Sequence, residues 1–169
     1  MLKKILIVLF VLCLGVKLKA QSVEEQAPAL EYVMELKVTV DGAYGIGETT
    51  HGNRFIIPIT GGTFEGPNIK GTVIPGGADY QMIDTAKGLT ELEAIYSIRT
   101  DDGVNIHVRN CGLLYNGKDE KGQQTFYFRT APKFEAPKDS KYDWMNNCIF
   151  VCVPAALPEY ISLKVWKVL

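Results

Sequence analysis

The chain alternates short apolar runs with turn residues along most of its length. In residues 89–100, for example, every second residue from Leu92 to Ile98 is apolar, and the residues between are mostly polar or charged. This period of two is typical of a strand with one buried face. The same pattern predicts strands at residues 30–40, 53–60, 69–74, 80–83, 89–100, 104–114, 125–130, 148–153 and 160–168.

No part of the chain after residue 28 sustains an apolar period of 3.6, so helix is expected only as a turn near residues 140–146 or 154–159. Asp101-Asp102-Gly103 is typical of a hairpin turn, because Gly accepts the positive φ that such turns need. Eight or nine strands in an open sheet would leave long unpaired edges. We therefore expect an all-β fold, either a closed barrel or a sandwich.

Residues 1–20 have the pattern of a secretory signal peptide: Lys3 and Lys4, an apolar run from Ile5 to Gly15, then Ala20. The apolar run is shorter than the roughly 20 residues that a membrane span needs, although a membrane anchor is the alternative. We predict export to the periplasm or the outside, with no stable membrane span after cleavage. Residues 21–169 then form one domain of roughly 150 residues.

The formal net charge is −1, and loss of the lysine-bearing leader makes the chain more acidic. With no basic run, nucleic acid is not an expected partner. Cys111, Cys148 and Cys152 can form at most one disulfide within the mature chain. In a strand, Cys148 and Cys152 would lie about 13 Å apart, at roughly 3.3 Å per residue, which is too far for a disulfide between them. Cys111 could pair with either, or all three could be buried thiols.

Two acidic residues follow glycine-rich turns and are the candidates for acid/base chemistry. Asp79 comes directly after Pro75-Gly76-Gly77-Ala78, where partial burial would raise its pKa. Glu65 follows Gly61-Gly62 in the same way. The alternatives are an aspartate that caps its own turn and a glutamate that is solvated or paired with an arginine.

The candidates for ligand binding are Arg54, Tyr80, Arg129, Trp144 and Asn146. An arginine among aromatic and apolar strand residues needs an acidic partner or an anionic ligand. Tyr80 and Trp144 could stack on a planar ligand, or pack as ordinary core or rim aromatics.

Other chemistries lack support in the sequence. The two histidines, His51 and His107, form no zinc-ligand spacing, and no Ser lies in a G-x-S-x-G elbow. The glycines from Gly42 to Gly47 lack the strand-to-helix context of a phosphate loop. The sequence thus predicts no metal and no cofactor.

Four motifs together resemble one bacterial family. They are R-x-x-I-P-x-x-G-G-x-F-x-G-P from Arg54 with G-x-V-x-P-G-G-x-D from Gly71, the hairpin around residues 92–103, Y-F-R-T-x-P-x-F-E from Tyr127, and Y-x-W-x-N from Tyr142. In these the chain resembles the family known as domain of unknown function 3237, or uncharacterised protein family 0311. The resemblance implies a single-domain antiparallel β-barrel, often a homo-oligomer, with no assigned activity. Met145 and Tyr80 stand where the family usually has Leu and often Trp.

Two functions are the main candidates. In the first, a small organic anion or aromatic compound binds in the mouth of the barrel, between the arginines and aromatics named above. In the second, a cofactor-independent isomerase, lyase or hydrolase uses Asp79 or Glu65 to move a proton, with an arginine stabilising an oxyanion. The lack of a nucleophile, metal set or cofactor loop favours binding. A module that interacts through a sheet edge or an oligomer face is a third possibility.

Overall fold

The computed structural model describes residues 27–169, which form nine strands and one single-turn 3₁₀ helix at Asp143–Asn147. The expected all-β fold is confirmed. The predicted signal peptide lies outside the described residues and stays a prediction. The strands are β1 Leu30–Val40, β2 Tyr44–Thr49, β3 Gly52–Glu65, β4 Lys70–Asp84, β5 Leu89–Thr100, β6 Asn105–Lys118, β7 Gln124–Glu135, β8 Phe150–Ala156 and β9 Ile161–Val168.

Eight of these strands close into an antiparallel barrel. The order is β1-β9-β8-β7-β6-β5-β4-β3, and β1 pairs back to β3, with Leu36 opposite Phe64, so that the sheet has no break. β2 adds to the outside of β3 as a ninth strand. The barrel, one of the two architectures expected for these strands, is therefore confirmed. β7 and β8 pair through one position, Thr130 opposite Cys152, while β6 and β7 pair along their full length.

Two differences from the predicted strands come from glycine. The runs 69–74 and 80–83 belong to one strand, β4, whose register shifts between Ile74 and Ala78. Gly76 takes a φ of 112° within this bulge, and a Cβ on Gly77 would clash with the backbone of β5, so neither position accepts another residue easily. β2 was missed because it is exposed at all six residues and contains Gly45 and Gly47, which weaken the strand pattern.

The interior of the barrel has two unlike halves. At one end the side chains pack tightly, with Ile98, Ile106 and Val108 fully buried and the rings of Phe134 and Phe150 in edge-to-face contact at 5.0 Å. The 3₁₀ helix packs against this end through Met145, together with Tyr142 directly before the helix. At the other end the interior side chains leave a cavity.

Candidate functional site

The cavity lies inside the barrel, beyond the packed core, and has a volume of about 250 Å³. For comparison, an apolar cavity of about 150 Å³ can hold benzene, so this space suits a single ring with substituents. Its wall is mostly apolar and includes Ile57, Leu92, Ala94, Leu114, Phe128 and Leu163.

Asp79 faces this cavity because of its place in the sheet. It lies on β4 opposite Ala94 of β5, and Ala94 lies opposite Asn110 of β6. Since neighbouring strands are about 4.8 Å apart, the backbones at Asp79 and Asn110 are separated by roughly 10 Å. The small side chain of Ala94 lies between them and leaves room for a ligand.

The next row of interior positions carries a second set of residues. Leu92 of β5 lies opposite Gly112 of β6, which lies opposite Thr130 of β7, and Thr130 lies opposite Cys152 of β8. A Cβ on Gly112 would overlap Thr130, so glycine is required where β6 and β7 approach. The absence of a side chain at Gly112 also leaves the face of Thr130 open.

Two hydrogen bonds fix the carboxyl group of Asp79. Gln81 donates from Nε2 to Oδ2 at 2.7 Å, and the backbone N–H of Glu93 donates to Oδ1 at 3.2 Å. Burial raises the pKa of Asp79, and these two hydrogen bonds offset only part of that effect. Asp79 therefore holds a proton more readily than an exposed aspartate does.

Three further polar side chains line the same space. Tyr96 is 4% exposed, and burial raises the pKa of its hydroxyl, so the phenol stays protonated. Asn110 and Thr130 are 4% and 7% exposed. Within the described part of the chain, neither Oδ1 of Asn110 nor Oγ1 of Thr130 has a partner at full hydrogen-bonding distance, although Thr130 Oγ1 lies near the weakly bonding thiol of Cys152. Among the described residues that line the cavity there is no Lys, Arg or His.

The structure separates the residues that the sequence proposed as one site. Asp79 lines the cavity, but Tyr80 points outward and shares an outer groove with Arg54, whose Nη1 donates to Tyr80 O at 3.4 Å. Glu65 is exposed on the outer surface opposite Lys70, so the two candidate carboxylates do not converge. The alternation of strand residues explains the separation, since neighbours such as Asp79 and Tyr80 face opposite sides of the wall.

The remaining candidates lie elsewhere on the outside. Arg129 is exposed, donates from Nη1 to the carbonyl of Phe128 at 2.7 Å, and covers the ring of Tyr127 at 5.5 Å. Among residues 27–169 it has no acidic partner, and it does not line the cavity, so the structure supports neither role that the sequence suggested. Trp144 packs on Phe150 with ring centroids 5.9 Å apart.

Asn146 has a structural contact. Its Oδ1 accepts from the backbone N–H of Ala136 at 2.9 Å, and its Nδ2 donates to the carbonyl of Ala136 at 3.0 Å and to Asp143 at 2.7 Å. These bonds join the 3₁₀ helix to the end of β7. The expected convergence of arginines, aromatics and Asn146 around the mouth of the barrel is therefore not found.

Cys111, Cys148 and Cys152 are all free thiols. The sequence pattern had placed Cys148 in a strand at residues 148–153. In the structure Cys148 precedes β8 and does not lie in it. Cys152 is fully buried, and burial raises its pKa to about 11.

Residues 27–169 contain no group of three or more His, Cys, Asp or Glu side chains placed to hold a metal ion. No helix in this range has the length and apolar character needed to cross a membrane.

Residues 28–168 match the family described as "Protein of unknown function (DUF3237)". The chain belongs to this family. It is 40% identical over 148 residues to a UPF0311 protein of Clostridium acetobutylicum, with 82% of this chain and 92% of the relative covered. The family resemblance seen in the motifs is confirmed.

Solved structures share the barrel. A "beta-barrel like protein" of Acinetobacter baumannii superposes with a TM-score of 0.77 at 30% identity, covering 87% of this chain and 99% of that one. A relative from the fungus Penicillium herquei carries the name "Hydroalkoxylation enzyme" and is 29% identical over 141 residues, covering 83% of this chain and 84% of its own length. The crystal structure of an enzyme from the same fungus has a TM-score of 0.68 at 28% identity, covering 85% and 96%.

Proposed function

We propose that this protein is a cofactor-independent enzyme in which Asp79 transfers a proton to or from a small neutral organic substrate held in the barrel cavity. One observation carries the proposal: a carboxyl group with a raised pKa, fixed by two hydrogen bonds, faces an apolar cavity large enough for a ring. Perturbed carboxyl groups in such cavities are typical of active sites.

The sequence predicted a small organic anion or an aromatic compound as ligand, and the cavity favours a neutral aromatic compound over an anion. Asp79 is the only carboxylic acid among the described lining residues, and no basic side chain accompanies it. An anion would be repelled by the carboxylate and would lose its hydration without compensation. An apolar ring or chain gains from burial against Leu92, Leu114 and Phe128.

The residues around Asp79 support both of its protonation states. The protonated carboxyl can donate to a carbon or oxygen of the substrate, which is the direction that a raised pKa favours. The carboxylate that remains is stabilised by the N–H groups of Gln81 and Glu93 until it recovers the proton. Gln81 is thus a positioning residue, since it touches Asp79. The sequence analysis assigned the stabilisation of an oxyanion to an arginine. No arginine lines the cavity in the described structure, so neutral groups must take this role.

The fungal relative supports an addition reaction as the chemistry. Hydroalkoxylation adds an O–H bond across a C=C bond, which requires one proton delivered to carbon and one removed from oxygen. A buried carboxyl that both gives and takes a proton can serve both steps without a cofactor. For this chain we therefore propose acid/base-catalysed addition, elimination or isomerisation on an unsaturated substrate. Binding without turnover is the second candidate, because the same cavity can hold a ligand without reaction.

Asp79→Asn tests this proposal once a screen of small neutral compounds by thermal shift has found a substrate, since a ligand at 100 times its dissociation constant adds about 2.7 kcal/mol. We expect turnover to fall roughly 100-fold or more with little change in affinity. Glu65→Gln, which removes a carboxylate from the outer surface, is the control and should keep its activity. Full activity in Asp79→Asn would overturn the proposal. Changed affinity in Asp79→Asn, with no turnover of any bound compound by the wild type, would support the binding role.

A further inference from the structure

Asn110 and Thr130 line the cavity, and in the described chain neither side-chain oxygen has a strong hydrogen-bond partner, since Thr130 has only the weakly bonding Cys152 thiol beside it. Asn110 Oδ1 and Thr130 Oγ1 are both inaccessible to solvent, on residues that are more than nine-tenths buried. A buried polar atom left unpaired costs roughly 1 to 3 kcal/mol. An apolar residue at either position would avoid this cost in stability. The presence of polar side chains at both positions therefore indicates a functional role for them.

The two side chains are close enough to contact one small group. Asn110 lies opposite Pro132, and Thr130, two residues before Pro132 on β7, points to the same face of the sheet. They are therefore diagonal neighbours, with backbones roughly 7 to 8 Å apart. Gly112 lies opposite Thr130 and adds no side chain to the space between them.

The hydrogen-bonding character of Asn110 and Thr130 determines which chemical group of a ligand can bind to both side chains. Asn110 Oδ1 is an acceptor and needs a donor, while the Thr130 hydroxyl can donate to an acceptor. An alcohol or phenol hydroxyl satisfies both at once. An ether or ketone oxygen only accepts and leaves Asn110 unpaired, and a carboxylate would be repelled by Asp79.

We propose, on the basis of the function above, that Asn110 and Thr130 form a hydroxyl-recognition subsite and that the substrate is a neutral alcohol or phenol. Its O–H donates to Asn110 Oδ1, and its oxygen accepts from Thr130 Oγ1. Its ring or chain lies over Ala94, which brings its carbon atoms towards Asp79 on the other side.

Phenol, anisole and toluene are the probes, because they share a ring and differ in the donor. Titrations of the wild-type chain by NMR should show phenol binding roughly tenfold more tightly than toluene or anisole, the value of about one hydrogen bond. Asn110→Leu and, separately, Thr130→Val should reduce this preference while toluene binds as well as before or better. Thr130→Val keeps the side-chain shape and is the second variant if Asn110→Leu does not fold.

Two controls localise the effect. Ala94→Phe fills the cavity and should prevent all three probes from binding there. Asp79→Asn should keep the preference for phenol, because Asp79 belongs to the proton-transfer step.

Equal affinity for phenol and toluene in the wild type would overturn the subsite. So would a preference that persists in both Asn110→Leu and Thr130→Val, or the failure of any probe to bind. The outcome is separable from that of the proposed function. A phenol preference together with an active Asp79→Asn enzyme would leave the subsite and remove the catalytic proposal, and the reverse pair of results would do the opposite.

Discussion

The buried carboxyl of Asp79 predicts a pH dependence of stability that can be measured without knowing any ligand. Burial raises the pKa of Asp79 in the folded protein above its ordinary value of 3.8. In the pH range between these two pKa values the folded state binds more protons than the unfolded state. The free energy of unfolding must therefore fall as the pH rises through this range. Above it, the cost of the buried charge is complete and constant.

The structure sets the direction of the effect, and the single proton sets its upper limit. One proton per molecule gives a slope of at most about 1.4 kcal/mol per pH unit. For a domain of this size, this lowers Tm by at most about 3 to 6 °C per pH unit. The hydrogen bonds from Gln81 and Glu93 narrow the range because they favour the carboxylate. Gln81→Leu should therefore widen it.

The assay is a series of urea denaturation curves from pH 3 to pH 8 for the wild type and Asp79→Asn. The difference in unfolding free energy between them should shift in favour of the Asn variant as the pH rises above about 4, because the amide cannot ionise. Glu120→Gln, in an exposed loop, controls for the loss of one negative charge. A difference that does not change with pH, or one that shifts towards the wild type, would refute the burial of this carboxyl and with it the basis of the catalytic proposal.

Two further predictions concern residues outside the cavity. Arg129→Ala should change the free energy of unfolding by no more than about 0.5 kcal/mol, because the side chain is exposed. Asn146→Ala should lower it by about 1 to 2 kcal/mol, because the hydrogen bonds to Ala136 are lost. Urea denaturation of the two variants measures both changes. A larger loss for Arg129→Ala would mean that it has a partner after all. Cys152 should react with a thiol reagent at pH 8 far more slowly than Cys111, because Cys152 is buried and burial raises its pKa to about 11. Mass spectrometry of the labelled protein measures the two rates, and equal rates would contradict the prediction.

The alternation of apolar residues was sufficient to predict most of the fold. The strands at 30–40 and 89–100 have the bounds that the pattern gave, because each places one apolar face against the core. The pattern failed where glycine replaced side chains, in β2 and in the bulge of β4. At these positions contacts between backbone atoms determine the structure, and the alternation of apolar and polar residues does not reflect such contacts.

The site was only partly accessible to the same reasoning. Asp79 could be selected because it follows a glycine turn, and alternation alone would have placed Tyr80 and Arg129 on the outside once Asp79 and Thr130 were inside. Asn110 carried a signal too, since it continues the inward positions of Ile106 and Val108. Its meeting with Asp79 across β5 depends on the pairing register of three strands, which local sequence does not determine.

The division of the barrel interior into a packed half and a hollow half has a consequence for evolution. Residues such as Ile98 and Phe134 hold the fold at one end, so substitutions of cavity residues at the other end, such as Leu114 or Phe128, change the shape of the space at little risk to folding. On the proposed function, new substrates can then arise by single substitutions while Asp79 is retained. Such a barrel is well suited to diversification, since one carboxyl group with the role proposed for Asp79 can serve a series of differently shaped molecules.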